Sequence, residues 1–340
     1  MKYSLLDDYS EGCHPTILDA LSDSNFVQQT AYGLDEYTEN AKALIRSEID
    51  NDQADVYLVT GGTLANIIIM SASLRPHEAI ISAETGHIAM RETGAIEAAG
   101  HKIITMPSTD GKLTVASVQA ALDSHMHAPH MVKPKLVYLS NATEVGTIYS
   151  KSEMEALYQF CQEQQLYLFV DGARLGTALC CDDNDMTMAD IARYSDIFTI
   201  GGTKNGALIG EAIVINRDSL KEDFAFIIKQ RGALLAKGRL LGLQFVELFR
   251  EGLYFTLATR ANKLAKDLSN SLVEKGHSLE APTRTNQIFA VLPNDLIAQL
   301  QEHFDFYIWG KKKDEHSSVV RLVTSWATPE EEVKCFLEQL

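Results

Sequence analysis

The sequence predicts an α/β fold: a large domain on a mostly parallel, seven-stranded sheet, followed by a smaller C-terminal α/β domain. Two observations carry this. Short apolar runs alternate with helix-like segments between residues 55 and 216, and most of the runs end in a polar or glycine-rich turn. Strand, helix, strand at this spacing makes βαβ units, whose strands are parallel. Of the 340 residues, 46% are hydrophobic, ample for a full core, and the length suits a large domain with a smaller one attached.

The elements follow in order. "DVYLVT" (55–60) leads into the helix-like "LANIIIMSASL". "EAIISA" (78–83) leads into "IAMRETGAIEAAG", and "HKIITM" (101–106) into "VASVQAALDS". "KLVYLS" (135–140) precedes "KSEMEALYQFCQEQQ". "LYLFVD" (166–171) precedes a loop and "MADIARYS". The sixth strand, "DIFTIG" (196–201), ends at a lysine-containing loop, and "EAIVIN" (211–216) is the seventh. Nine residues separate Gly201 from Glu211, too few for a parallel crossover, so this last pair is expected to be antiparallel. From Lys237 to about Lys275 the pattern reads as one nearly unbroken helix, which Gly252 could kink. Strands at 287–293, 303–309 and 319–324, with helices at about 294–302 and 328–340, form the smaller region. The domain boundary is placed between residues 244 and 245.

Lys and Arg number 30 against 46 Asp and Glu, a net charge of −16. That balance disfavours nucleic acid and anionic membranes as partners. No run approaches the ~20 apolar residues of a membrane span, and the acidic "MKYSLLDDYSEG" does not read as a signal peptide. The five cysteines form no CxxC pair and read as reduced thiols of a cytoplasmic protein, with Cys180 and Cys181 as packing residues. No metal site is expected.

In open α/β sheets ligands lie beyond the carboxyl ends of the strands, so the polar residues there are the candidates. "TGGTLAN" opens a helix with a glycine turn and could hold a phosphate on its free amides, although a tight turn with Thr63 as N-cap explains it equally well. "ETGHIAMRE" places His87 at a helix start. "FVDGARLG" places Asp171 at a strand end, three residues before Arg174. "IGGTKNG" places Lys204 where a buried strand breaks into glycines, although lysine is rarely buried without a partner. Each has an ordinary structural explanation alone. Together they match pyridoxal 5′-phosphate. This cofactor needs a phosphate site, a stacking partner, a carboxylate to hold the proton on its ring nitrogen, and a lysine to carry its aldehyde.

The chain resembles the threonine aldolase and β-eliminating lyase family of pyridoxal-phosphate enzymes, with the aspartate-aminotransferase-like fold. The resemblance covers nearly the whole chain and rests on "YSEGCHPTILDAL", "AYGLDEYT", "GGTLAN", "GHIAMRETGA", "SNATEVGTIY", "VDGARLG", "GGTKNGALIGEAIV" and "RLVTSWAT". It implies that Lys204 forms the Schiff base with the cofactor, Asp171 pairs with the ring nitrogen and His87 stacks on the ring. Gly62, Thr63 and Thr203 would bind the phosphate, and Arg239 would reach a phosphate in the neighbouring subunit. Ser10, Arg174 and Arg321 would hold the substrate carboxylate, and Tyr32 would cross the interface of a homodimer or homotetramer with shared sites. Three positions depart from the family pattern: Thr143 stands about where a histidine is frequent, "TGGT" replaces Ser-Gly-Thr, and His14 precedes Pro15 where a lysine or arginine is common.

The leading functional expectation is an aldolase, a carbon–carbon lyase that cleaves β-hydroxy-α-amino acids such as threonine or allo-threonine to glycine and an aldehyde. The base could be His87, a water that it positions, or Glu92. A β-eliminating lyase or an aminotransferase on the same scaffold would instead give ammonia and a keto acid, or transfer the amine. A nucleotide-binding or regulatory protein would use "GGT" for a phosphate and form no Schiff base.

Overall fold

The computed structural model describes residues 2–312 and 314–340. After β1 (Tyr3–Ser4), seven strands form the central sheet: β2 (Asp55–Val59), β3 (Glu78–Ala83), β4 (Lys102–Met106), β5 (Lys133–Ser140), β6 (Tyr167–Asp171), β7 (Ile197–Gly201) and β8 (Glu211–Ile215). Their order across the sheet is β2-β8-β7-β6-β5-β3-β4. The expected antiparallel pair is present. β8 runs against both its neighbours, β7 and β2, while the pairings among β7, β6, β5, β3 and β4 are parallel.

Covering layers explain why the strands read as unbroken apolar runs rather than alternating ones. Val56, Ile81, Val137, Val170 and Phe198 face one core, and Val59, Ile80, Tyr138, Phe169 and Ile197 face the other. The helix Lys151–Glu163 supplies Met154, Leu157 and Cys161 to the first core. Gly62–Ser73 supplies Ile68, Ile69 and Met70 to the second.

The long helix expected from Lys237 to Lys275 is two helices, Arg239–Arg250 and Leu253–Glu274. Gly252 between them sits at φ +70, a left-handed conformation that glycine adopts at little cost and that ends the first helix. A second four-stranded sheet, β9 (Ser278–Leu279), β10 (Gln287–Pro293), β12 (Tyr307–Lys312) and β13 (Ser317–Val323), has the order β12-β13-β10-β9. The strand expected at 303–309 is split. Its first part, β11 (Phe304–Asp305), pairs in parallel with β1, whereas β12 pairs with β13. Leu5, Leu264, Leu268, Ile288, Phe304 and Val320 share a third core, which joins the N-terminal segment to this sheet.

The helix Arg239–Arg250 lies against Glu36–Glu48 at a glycine: a Cβ on Gly242 would stand 2.5 Å from the Thr38 backbone nitrogen. Gly242→Ala should therefore destabilise the protein. Helix propensity would gain at most about 1 kcal/mol, but forcing two helices apart costs up to about 3 kcal/mol. A lowered melting temperature is expected, and a raised one would show that the contact yields freely.

Candidate active site

Strand direction places the chemistry. The carboxyl ends of β2, β3, β4, β5, β6 and β7 share one rim, and the antiparallel β8 begins on that rim with Glu211. The turns leaving β2, β3, β5, β6 and β7 carry Gly62, His87, Glu144, Arg174 and Lys204 in turn. Asp171 is itself the last residue of β6.

Two connected hollows lie here. An inner one is lined by His87, Ser140, Glu144, Asp171, Ala173 and Lys204, together with Ala142 and Arg174. It opens into a cleft of about 540 Å³, on which His87, Glu144, Arg174 and Lys204 also border, with Tyr9, Arg91, Gln287, Trp309 and Arg321 across it.

Asp171 is buried and held from three directions: Tyr138 Oη donates at 2.7 Å, Asn66 Nδ2 at 3.2 Å and the Ala173 amide at 2.9 Å. His87 meets Glu92 Oε1 through Nδ1 at 2.8 Å. The same oxygen accepts from Asn66 Nδ2 at 2.7 Å. Asn66 thus links the carboxylates behind the imidazole and beneath the inner hollow. A proton on Nδ1 would be donated to Glu92, leaving Nε2 as the ring nitrogen on the opposite side.

Lys204 stands in a tightly braced loop. Gly202 and Thr203 amides donate to the Gly210 carbonyl at 3.0 and 3.1 Å. Gln244 Oε1 accepts from the Leu208 and Ile209 amides, and Asn205 Nδ2 donates to the Tyr254 carbonyl. The break at Gly252 lets two successive helices, one carrying Gln244 and the next Tyr254, both grip this loop. Gly201 is needed where strands converge, since a Cβ there would lie 2.3 Å from the Ala173 carbonyl oxygen.

Charge in the cleft is unevenly matched. Arg174 makes a two-pronged bond to Asp8, Nε to Oδ2 at 2.8 Å and Nη2 to Oδ1 at 3.0 Å, and Asn286 donates to the same Asp8 at 2.8 Å. Burial disfavours the Asp8 charge, but Arg174 and then Lys204 outweigh it and hold the carboxyl below its ordinary range. Burial, then Arg174, lowers the Lys204 amine against the pull of Asp8, Glu211 and Asp171. It gives up its proton more readily than an ordinary lysine, as a nucleophilic amine must. Burial likewise raises Glu211, against the pull of Lys204.

Arg321 is pushed down to about 10 by burial and by Arg174. It donates to Gln287 Oε1 at 3.1 Å and lies over Trp309, 4.8 Å from the ring centroid. Among the described residues no carboxylate pairs with it. Two buried guanidiniums repel each other across a cleft where only Arg174 has a counter-ion, an arrangement that suits an incoming carboxylate.

The rim fits pyridoxal phosphate. The helix Gly62–Ser73 starts without a side-chain cap, and a Cβ on Gly61 or Gly62 would meet open space. A phosphate could take those free amides. The N-cap is Gly61, not Thr63, which is exposed on the first turn. Thr203 Oγ1 bonds within its own loop, to the Gly210 carbonyl at 3.3 Å and from its amide at 3.1 Å.

The chain therefore gathers Lys204, Asp171, His87, Arg174 and Arg321 at one place. It does not bring Ser10, Tyr32 or Arg239 there. Ser10 is exposed and donates to Asp7; Asp8 is buried instead, and Tyr9, itself exposed, borders the cleft with its ring centroid 5.9 Å from Lys204 Nζ. Tyr32 is exposed under Lys229, and Arg239 donates to the Ser24 and Val27 carbonyls. Glu92 does not border the cleft and serves to position His87.

The model of the β-eliminating lyase family matches residues 7–295. The chain belongs to that family. The low-specificity L-threonine aldolase of Pseudomonas sp. (strain NCIMB 10558) is 33% identical over 96% of this chain and 94% of its own. The corresponding enzyme of Pseudomonas aeruginosa is 32% identical over the same shares. A solved threonine aldolase of Leishmania major superposes with a TM-score of 0.97 at 48% identity, covering 99% of this chain and 98% of that one. Thermus thermophilus aspartate aminotransferase, at 14% identity, TM-score 0.73 and coverage of 99% and 90%, shares the fold alone. Asp8, Glu144 and Glu211 are not singled out by the sequence, because nothing local marks an isolated acidic residue as one that folds into a buried rim. For Glu211 a signal existed: the antiparallel direction of its strand puts its first residue on the rim.

Removing the counter-ion of Arg174 tests the charge balance. Asp8→Asn leaves a buried guanidinium unpaired, and a loss of about 3–5 kcal/mol in chemical unfolding is expected. An unchanged midpoint would mean that solvent reaches Arg174 freely.

Proposed function

We propose that this chain is a pyridoxal-phosphate-dependent aldolase that cleaves β-hydroxy-α-amino acids, such as threonine or allo-threonine, to glycine and an aldehyde. The observation that carries the reading is Arg321, a buried cation without a carboxylate partner, facing the cleft that also holds Lys204. An amino acid carboxylate would neutralise it and relieve its repulsion with Arg174.

Lys204, with its lowered proton affinity, would hold the cofactor and yield to the substrate amine. Asp171, fixed by Tyr138, Asn66 and the Ala173 amide, would keep a proton on the cofactor's ring nitrogen. His87 would cover the ring, with Glu92 fixing its orientation. Arg174 and Arg321 would orient the substrate by its carboxylate. The first-turn amides at Gly62 and Thr63, with Thr203, would take the phosphate. When bound, the cofactor supplies the electron sink that makes a bond to Cα labile.

We further propose that the protein works as a homo-oligomer with shared sites. Phe26, 95% exposed, and the exposed Val27, Tyr32 and Leu34 crowd the segment that Arg239 braces, and a second copy would cover them.

The protein should bind pyridoxal phosphate with a visible absorbance, and added threonine should release acetaldehyde; ammonia and a keto acid would favour the β-eliminating alternative. Lys204→Ala should lose both the absorbance band and turnover, while Asp171→Asn should keep some cofactor but lose most of its activity. His87→Phe should retain cofactor better than His87→Ala, since stacking needs only a flat ring. For the shared site, mixed Lys204→Ala and Arg239→Ala chains should regain about a quarter of wild-type activity, since random pairing makes about half the dimers mixed, each with one intact site of two. No recovery despite subunit exchange would mean that each chain builds its own site.

A further inference from the structure

We propose that the Glu144 carboxylate is the catalytic base that takes the β-hydroxyl proton as the Cα–Cβ bond breaks. The proposal rests on the aldolase reading above. Four side chains border both the inner hollow and the outer cleft: His87, Glu144, Arg174 and Lys204. Glu144 is the only carboxylate among them. Arg174 stays protonated, and the same reading already commits Lys204 to the cofactor and His87 to its ring face. The lone pair on Nε2 of a stacked imidazole lies in the ring plane, parallel to the cofactor, and is poorly aimed at a substrate group standing above it.

Glu144 is built to be aimed. Its Oε1 accepts from Ser140 Oγ at 2.6 Å and from the His87 amide at 2.9 Å. Among the described residues no donor meets Oε2, which is left for a substrate hydroxyl. Burial, with Asp171 adding to it, holds the carboxyl above the ordinary glutamate range in spite of the bonds from Ser140 and the backbone. It is thus a stronger base than a solvated carboxylate. Ser140 Oγ also lies 3.2 Å from Tyr138 Oη, which donates to Asp171 at 2.7 Å. A proton taken up on Oε2 leaves Oε1 still accepting from Ser140 and the His87 amide, so protonation breaks neither of these bonds.

The step balances. The O–H bond breaks toward Glu144, the hydroxyl carbon becomes the aldehyde carbonyl, and the Cα–Cβ pair remains with Cα. Cα then takes a proton from a donor in the cleft to give glycine, and Glu144 releases its own to water. One proton moves from oxygen to carbon overall, without net oxidation or reduction.

The test separates cleavage from chemistry at Cα alone. In wild type and in Glu144→Gln, threonine cleavage is measured as acetaldehyde, and exchange of the glycine α-proton with deuterium is followed by NMR. The expected result is a loss of about 100-fold or more in cleavage, within the range of general base catalysis, with less than about a tenfold loss in exchange. Glu144→Ala, which leaves space at the site, should regain cleavage when formate is added. Wild-type cleavage in Glu144→Gln, or equal loss of cleavage and exchange with no rescue by formate, would overturn the assignment. A wild-type protein that exchanges glycine but cleaves no β-hydroxy amino acid would overturn the aldolase reading and this assignment with it.

Discussion

The site depends on one buried ion pair. Asp8 receives two hydrogen bonds from Arg174, on the turn after β6, and one from Asn286, at the start of the second sheet. Three distant parts of the chain meet at that carboxylate. Without it Arg174 would lose its counter-ion and stand unpaired beside Arg321 and Lys204. With it, Arg174 is neutralised, and Arg321 is the buried guanidinium of the cleft that has no carboxylate partner among the described residues. The pair is two-pronged and its carboxylate takes a further hydrogen bond from Asn286, which helps a buried ion pair offset its desolvation.

The sheet's single reversal completes the arrangement. Six carboxyl ends and one amino end share the rim, so Glu211 enters beside Lys204 from a strand running the other way. The amine therefore feels Arg174 on one side and Asp8, Glu211 and Asp171 on the other. It is depressed by burial without losing the charges that keep it aligned. Hydrogen bonds from Gln244 and Asn205 make the loop stiff enough for small differences in charge to matter.

Much of this was legible in the sequence, for identifiable reasons. Apolar runs bounded by turns gave the seven strands, and a connection too short for a crossover gave the reversal. Lys204, Asp171 and His87 stood out because each interrupts an apolar strand or opens a helix at a strand end. Less was legible where meaning lies in tertiary contact. Gly252 is legible as a possible kink, but nothing local shows that it takes a left-handed conformation and ends the helix, nor that Phe306 is the point where one apparent strand divides between two sheets. Asp8 and Glu144 acquire their character from Arg174, Asn286, Ser140 and the His87 amide, all distant or unpatterned in sequence. Ser10 does not reach the site because it is Asp8, not Ser10, whose side chain is buried there.

The central claim, that the braced rim makes Lys204 the amine that carries the cofactor, is tested most directly by chemical trapping. The pyridoxal-phosphate-loaded wild-type protein would be reduced with borohydride, digested and mapped by mass spectrometry. The account predicts one phosphopyridoxyl group per chain, on the peptide containing Lys204. A label on another lysine, or none on a protein that still binds the cofactor, would contradict it.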